Sequence, residues 1–108
     1  MPQITPYIYE GGTLTAALTD QGTAVANATK RIIQAATLVN TTGAPVVCTV
    51  IFIDSASASR AKISARPVAA GESYNCPELV GKGILALGKV QASGLGVSFD
   101  YTAVDIVG

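Results

Sequence analysis

One short segment of this chain has the spacing of a catalytic site. Ser59-Arg60-Ala61-Lys62 matches the S-x-x-K pattern of serine acyltransferases, whose serine and lysine must lie one helical turn apart on one face. Here the four residues lead from a small polar loop into a predicted strand, where positions three apart point to opposite faces. The chain also contains no histidine, so neither a Ser-His-Asp nor a Cys-His site can be built. We therefore interpret the match as accidental and predict that the protein is not an enzyme.

The cysteines and glycines do not form a recognisable site either. Cys48 lies inside an apolar run and is predicted to be a buried small hydrophobe, whereas Cys76 precedes Pro77 and is predicted to be less buried. Without a histidine or a CxxC pair, the two thiols do not predict a metal site. Geometry could permit a disulfide between them, but synthesis in a cytosol argues against one. Gly81-Lys82-Gly83 lacks the following Ser or Thr of a phosphate-binding loop, and we predict no cofactor.

The composition indicates one apolar domain with no net charge. Hydrophobic residues make up 49% of the chain and charged residues 13%, about half the usual charged share. Seven basic and seven acidic side chains cancel, and the basic clusters Lys30-Arg31 and Arg60, Lys62 and Arg66 are interpreted as solvated faces. No stretch reaches the roughly 18 to 20 apolar residues that span a bilayer, and the first six residues lack the pattern of a signal peptide. We expect a protein made in a cytosol, with neither nucleic acid nor membrane as a partner.

Strands are predicted along most of the chain. Residues 97–103 alternate most clearly between apolar and polar side chains. Residues 24–39 are ambiguous, because their apolar residues follow helical spacing while several of them are β-branched; we favour a strand over residues 30–40. The other predicted strands, which are bounded by turn residues, are 13–18, 45–54, 61–69 and 73–80.

This spacing predicts an all-β fold. Seven or eight short strands at intervals of about ten residues indicate an antiparallel β-sandwich or jelly roll. Residues 1–12 are predicted to form an extended N-terminal arm, and residues 13–108 a single sandwich domain. Within the arm, Tyr7-Ile8-Tyr9 could add a short edge strand, and Gly11-Gly12 would end it. Such an arm either folds back on its own domain or reaches a neighbouring subunit.

The run Pro45–Asp54 predicts a strand that is apolar on both faces. Alternation places Val47, Ile51 and Ile53 on the face opposite Phe52. A chain of 108 residues without a convincing set of helices has nothing to lay over the second face. We therefore predict that a partner outside the chain covers it.

At the end of the last strand the apolar residues change from odd to even positions, which we call a change of phase: Val104 and Ile106 are apolar and Asp105 is not. A bulge or a second buried surface near the C-terminus could produce this change. The residues that we predict at an oligomer or partner interface are Tyr7, Tyr9, Val47, Ile51, Ile53, Val104 and Ile106.

Residues 30–107 follow a characteristic order of strands and turns. An apolar strand ends in Asn40-Thr41-Thr42, a valine-rich strand over 44–50 follows, and a turn forms around Ala70-Gly71-Glu72. Residues 79–92 then give a short apolar pair around a glycine, and an alternating strand closes the domain. This order resembles the small β-sandwich virion proteins of tailed bacteriophages, which include head decoration (cement) proteins and domains of neck and tail fibres. The chain departs from the pattern at Lys89, where an acidic residue is typical.

The resemblance implies a structural protein without catalysis, often a trimer. We accordingly expect a capsid decoration protein that forms a homotrimer, binds the major capsid protein or another virion protein, and is assembled into the virion in the host cytoplasm. Two alternatives remain open. The first is a neck, tail or head-fibre component, and the second is a carbohydrate-binding module that uses the loops at 55–59 and 93–96.

Overall fold

The computed structural model describes residues 3–22, 24–55 and 58–107, with side chains for 11–22, 24–55 and 58–106. Every regular element in these ranges is a β-strand, and the strands form two antiparallel sheets that pack against each other. The prediction of an all-β fold is thereby confirmed. In chain order the strands are β1 (Gln3–Thr13), β2 (Thr19–Asp20), β3 (Thr29–Asn40), β4 (Val46–Ile53), β5 (Ser59–Val68), β6 (Ser73–Tyr74), β7 (Gly83–Ile84), β8 (Lys89–Ser93) and β9 (Val97–Val107).

The pairing of the strands is nested. Sheet A has the order β1-β9-β3-β6, with β7 also pairing with β3, and sheet B has the order β2-β8-β4-β5. The first strand therefore pairs with the last, the second with the last but one, and so on inward to β4 and β5. Among the described strands, β4 and β5 are the one pair of neighbours that are also consecutive in the chain.

The core lies between the two sheets and takes one face of each long strand. The rings of Phe99 and Tyr101 are 5.7 Å apart at its centre, and burial of each such side chain contributes about 1.5–3 kcal/mol. The predicted alternation of the last strand is confirmed. The inward residues that β4 and β9 contribute are Cys48, Val50, Phe52, Val97, Phe99, Tyr101 and Ala103.

The ambiguous segment is a strand from Thr29 onward, which confirms the strand favoured over residues 30–40. β3 pairs with β9 from Thr29 opposite Val107 to Asn40 opposite Val97, with one extra residue between Ile33 and Ala35. That extra residue lets β3 keep its apolar side chains facing the core on both sides of the bulge. The apparently helical spacing of the apolar residues in this segment is therefore explained by the bulge in β3.

Two other predicted strands are wrong over most of their length. In residues 13–18, strand β1 ends at Thr13. The next residue, Leu14, is buried, and its N–H donates to the carbonyl oxygen of Val97 at 2.8 Å. In residues 73–80, the strand ends after Tyr74. Cys76 has a φ of 43°, and the following Pro77 has no N–H to donate, so the chain turns instead of extending.

The segment predicted as an arm contains β1, the edge strand of sheet A, which lies antiparallel to β9. β1 continues through Gly11 and Gly12 to Thr13. Gly11 has a φ of 145°, and a Cβ there would lie 2.1 Å from the carbonyl oxygen of Phe99. Only glycine therefore lets β1 approach β9 so closely at this position.

Both cysteines are free thiols and both are fully buried, so the prediction that Cys76 is less buried than Cys48 is wrong. Burial raises the pKa of each thiol, and it raises the pKa of Cys76 from 9.0 to about 12. The thiolate is the reactive form, so neither cysteine has the environment of a nucleophile.

We expect the protein to lose stability as the pH rises above about 9, and Cys76→Ala to reduce this loss. Between the unfolded pKa of 9.0 and the folded value of about 12, the unfolded state binds fewer protons, so ionisation favours unfolding. One such group contributes a slope of at most about 1.4 kcal/mol per pH unit. Urea denaturation of both proteins at pH 8, 9 and 10 measures the slopes. Equal slopes in the two proteins would contradict the prediction.

Candidate interaction surfaces

Three of the predicted interface residues lie on the outer face of sheet B. Burial alternates along β4, where Cys48 and Val50 are fully buried and Val47 is 57% exposed. Ile51 and Ile53 are half-buried on the same outer side as Val47. The prediction that β4 is apolar on both faces is confirmed, and the described residues leave the second face open to solvent.

Neighbouring strands extend this apolar area on one side only. On β5, Pro67 lies opposite Val47 and Ala61 lies opposite Ile51. We call these residues the β4 surface, which consists of Val47, Ile51, Ile53, Ala61 and Pro67.

The other side of the β4 surface is polar. Lys89 and Gln91 of β8 lie opposite Ile53 and Ile51, and both side chains bond to Asp20 of β2. The Lys89 Nζ to Asp20 Oδ2 distance is 3.2 Å, and the Gln91 Nε2 to Asp20 Oδ1 distance is 2.7 Å. The hydrogen bond from Gln91 lowers the pKa of Asp20 most, and the hydrogen bond from Lys89 lowers it further. An apolar strip beside a polar rim is the usual arrangement of a protein interface.

Val104 and Ile106 lie on the outer face of the other sheet, near its end. β9 pairs residue by residue with β3 here, Val104 opposite Ile32 and Ile106 opposite Lys30. The change of phase is therefore not a bulge in β9. It arises because Asp105, between the two apolar residues, faces the interior.

Asp105 is half of an ion pair that sequence reasoning missed. It lies directly opposite Arg31, which is 4% exposed, with Arg31 Nε to Asp105 Oδ1 at 2.8 Å and Nη2 to Oδ2 at 3.1 Å. The hydrogen bond with Asp105 raises the pKa of Arg31, with a smaller contribution from Tyr101. The Tyr101 hydroxyl donates to the carbonyl oxygen of Gln21 at 2.7 Å. The interpretation of Lys30-Arg31 as a solvated face is wrong for Arg31, which is held inside by these groups.

A second apolar area surrounds the end of β9. Leu85 is 67% exposed and lines a shallow groove with the apolar Ala86, Ala28 and Ile106 and the polar Thr29 and Lys30. With the half-buried Val104 and its partner Ile32, these residues lie on or beside sheet A, whereas the β4 surface lies on sheet B. We call this area the β9 surface, which consists of Ala28, Ile32, Leu85, Ala86, Val104 and Ile106.

Tyr7 and Tyr9, the two aromatic residues predicted in the interface, both belong to β1. Tyr9 pairs with Thr102, and Tyr7 lies in the irregularity between Thr5 and Ile8. Their side chains lie outside the described part of the chain, so their place in an interface stays a prediction.

Catalytic geometry is not found at the S-x-x-K segment. Ser59 is the first residue of β5, and Lys62 is the extra residue of a bulge, with its Nζ 5.4 Å from the centre of the Phe52 ring. Among the residues whose positions are described, no three thiols or carboxylates group as ligands for a metal ion. Nor does that part of the chain contain a helix of the length and apolarity needed to cross a bilayer.

Known proteins give no further guide to these surfaces. Comparison of the chain with models of protein families, with curated proteins and with solved structures finds no match. The function is therefore inferred from the fold and from the two apolar surfaces.

Proposed function

We propose that this protein is a structural, non-enzymatic virion protein of a tailed bacteriophage, and that it decorates and stabilises the capsid. The observation that carries the proposal is the pair of apolar surfaces on different sheets, one around β4 and one around the end of β9. A chain with two such surfaces can contact a copy of itself through one and a shell protein through the other. A homotrimer bound to the major capsid protein is the arrangement that we propose.

The strand order supports a jelly roll within this proposal. A long hairpin whose strands are paired first with last, and which is then rolled into two sheets, gives nested pairs of the kind seen from β1-β9 to β4-β5. Jelly rolls are frequent in viral capsid and lectin domains. Fold alone does not imply function, so this agreement supports the virion role only together with the surfaces.

The energetics of binding favour such a role. A preformed pair of sheets loses little conformational entropy when it docks, so a modest apolar contact suffices for measurable affinity. On a capsid, contacts repeated by symmetry add avidity that no single contact provides. The low share of charged residues, 13%, agrees with a surface that is partly covered in the assembled state.

We expect the isolated protein to form an oligomer that Val47→Glu weakens. A buried interface residue at a central position costs about 2 kcal/mol or more when it is lost, which is about a 30-fold weaker association. Val80→Glu is the matched control, because Val80 is 48% exposed and lies outside the β4 surface. Sedimentation velocity at micromolar concentration measures the association of all three proteins. A stable wild-type monomer, or equal association of both variants, would contradict the role of the β4 surface.

Copy number separates decoration from the alternative of a neck, tail or fibre component. Hundreds of copies per particle, located in a cryo-electron map of intact virions, indicate decoration, and a dozen or fewer indicate the alternative. The carbohydrate-binding alternative uses the loops at 55–59 and 93–96 together at one end of the domain. Ser93 lies opposite Thr49 and Lys89 opposite Ile53, so the loops that follow β4 and β8 leave opposite ends of this strand pair, which disfavours the alternative. A glycan array without binding would remove it.

A further inference from the structure

One end of the domain carries an excess of positive charge. This is the end where β9 finishes and β5 begins, since Leu85 lines one groove with Lys30 and Ile106 and another with Phe52 and Arg60. Two cations there, Arg31 and Lys89, form ion pairs with Asp105 and Asp20. The cations of this end that form no ion pair with another described residue are Lys30, Arg60, Lys62 and Lys82.

A groove opens at the same end between sheet B and β7 of sheet A. Its volume is about 260 Å³, below the roughly 300–1,000 Å³ of typical small-molecule sites, and it suits one or two side chains better than a cofactor. Most of the larger side chains that line the groove are apolar, and its charged side chains are two cations and one carboxylate: Phe52, Ile53, Ile84, Leu85, Arg60, Lys62 and Asp54.

The carboxylates nearest the groove already have partners. Asp54 also lines it, but its Oδ1 accepts a hydrogen bond from the N–H of Ala58 at 3.0 Å. Asp105 is occupied by Arg31. The bond from Ala58 does not cancel the charge of Asp54, but Arg60 and Lys62 outnumber this one carboxylate and leave positive charge beside an apolar cavity, which an acidic and partly apolar ligand would complement.

The backbone at the groove is an exposed strand edge. β5 is the last strand of sheet B, and among the described residues its backbone pairs with β4 alone. The stretch 55–71, which includes β5, contains three basic residues and no acidic one. Lys62 is the extra residue of a bulge, Ala65 has a φ of 47° and Pro67 lacks an N–H, so a strand could add regularly only along the first part, Ser59–Ala61.

We propose that the groove and the first part of β5 bind an extended acidic segment of a partner protein. The segment adds to β5 as a strand, places an apolar side chain in the groove near Leu85, and sets carboxylates against Arg60 and Lys62. A nucleic acid would supply the negative charge but neither the apolar side chain nor the strand backbone. The groove shares Ile53 with the β4 surface and Leu85 with the β9 surface, but the proposal does not depend on the virion role.

The probe is a fluorescein-labelled hexapeptide of alternating glutamate and valine, followed by fluorescence anisotropy at low salt. We expect saturable binding that is about tenfold weaker for the same peptide with glutamine in place of glutamate. We expect a similar loss in the double variant Arg60→Gln, Lys62→Gln. Lys89→Gln is the charge control, because Lys89 lies on the outer face of the sheet at the same end, and it should bind as the wild type does.

A second pair of variants tests the apolar contact between the peptide and the groove. Leu85→Ser should weaken binding about fivefold through the loss of buried apolar area, whereas Leu95→Ser should not. The two leucines are matched in exposure, at 67% and 65%, but Leu95 lies in the turn at the opposite end of the domain. Amide chemical-shift changes on peptide addition should concentrate at residues 59–61.

Three results would overturn the proposal. The first is equal affinity for the acidic and the neutral peptide, and the second is undiminished binding by the double variant. The third is full competition by single-stranded DNA of equal charge at equal concentration, which would show a response to charge alone.

Discussion

Replacing Asn40 by alanine is expected to destabilise the protein by about 3–5 kcal/mol, a large part of the 5–15 kcal/mol that stabilises a typical domain. Asn40 is fully buried, and its Nδ2 donates to the carbonyl oxygens of Ala44 and Val68, both at 2.9 Å. Its Oδ1 accepts from the N–H of Thr42 at 2.9 Å and from the Thr42 hydroxyl at 2.6 Å. One amide thus joins the end of β3 to the next turn and to the end of β5, and alanine would leave these buried groups unpaired.

Urea denaturation of Asn40→Ala measures the loss, with Thr41→Ala as the control, since Thr41 is exposed and adjacent. The control should change stability by less than about 0.5 kcal/mol. Asn40→Asp keeps the size of the side chain but sets a carboxylate oxygen against a carbonyl oxygen. It should therefore be more destabilising at pH 7 than at pH 4, which separates lost hydrogen bonds from a cavity. A loss below about 1 kcal/mol in Asn40→Ala would contradict this role.

Asp105→Ala is expected to cost about 3–5 kcal/mol, because it leaves the charge of Arg31 buried without its counter-ion. The side chains of Arg31 and Asp105 are only 5% and 14% exposed, so water replaces little of the lost interaction. Chemical denaturation measures the loss. The exposed pair of Lys89 and Asp20 is the natural comparison, with 35% and 50% of the two side chains exposed, and Asp20→Ala should cost no more than about 1 kcal/mol.

The double variant Arg31→Met, Asp105→Leu tests whether the unpaired charge causes the loss, because it removes both partners of the ion pair. Removing both charges and filling the space with apolar atoms should restore stability to within about 1 kcal/mol of the wild type or raise it above that level. The strong coupling between the two substitutions is then the signature of a buried pair. A double variant as unstable as Asp105→Ala would mean that packing around Arg31, and not the unpaired charge, causes the loss.

Much of the strand content could be predicted from side-chain patterns alone. Alternation located β9, the apolar run located β4, and β-branched residues correctly favoured a strand over residues 30–40. The partners of these strands could not be predicted, because nested pairing joins segments that are far apart in the sequence. The short segments that turn the chain between sheets, such as the one after Tyr74, depend on backbone conformations that only the packed structure imposes.

Buried polar residues were the main source of error. Nothing in the sequence marks Asn40, at the end of a predicted strand, as a buried hydrogen-bonding residue, and Arg31 is predicted as a solvated charge, since each residue type is usually exposed. Asp105 follows Val97, Phe99, Tyr101 and Ala103 at the inward positions of β9. A charged residue at such a position was the one feature of the sequence that indicated a buried ion pair. Arg60, in the basic trio of β5, is exposed as predicted. The groove beside Arg60 and Lys62 could not be predicted from the sequence, because it is assembled from β4, β5 and β7.

The nested pairing also has a consequence for the chain as it leaves the ribosome. β1 is synthesised first, but its partner β9 emerges last, after roughly 5–20 s at ordinary elongation rates. Meanwhile β4 and β5, which are consecutive in the chain and paired, can already close as a hairpin. During that interval β1 is an unpaired template open to other nascent chains, so timely folding depends on keeping it apart from its counterparts.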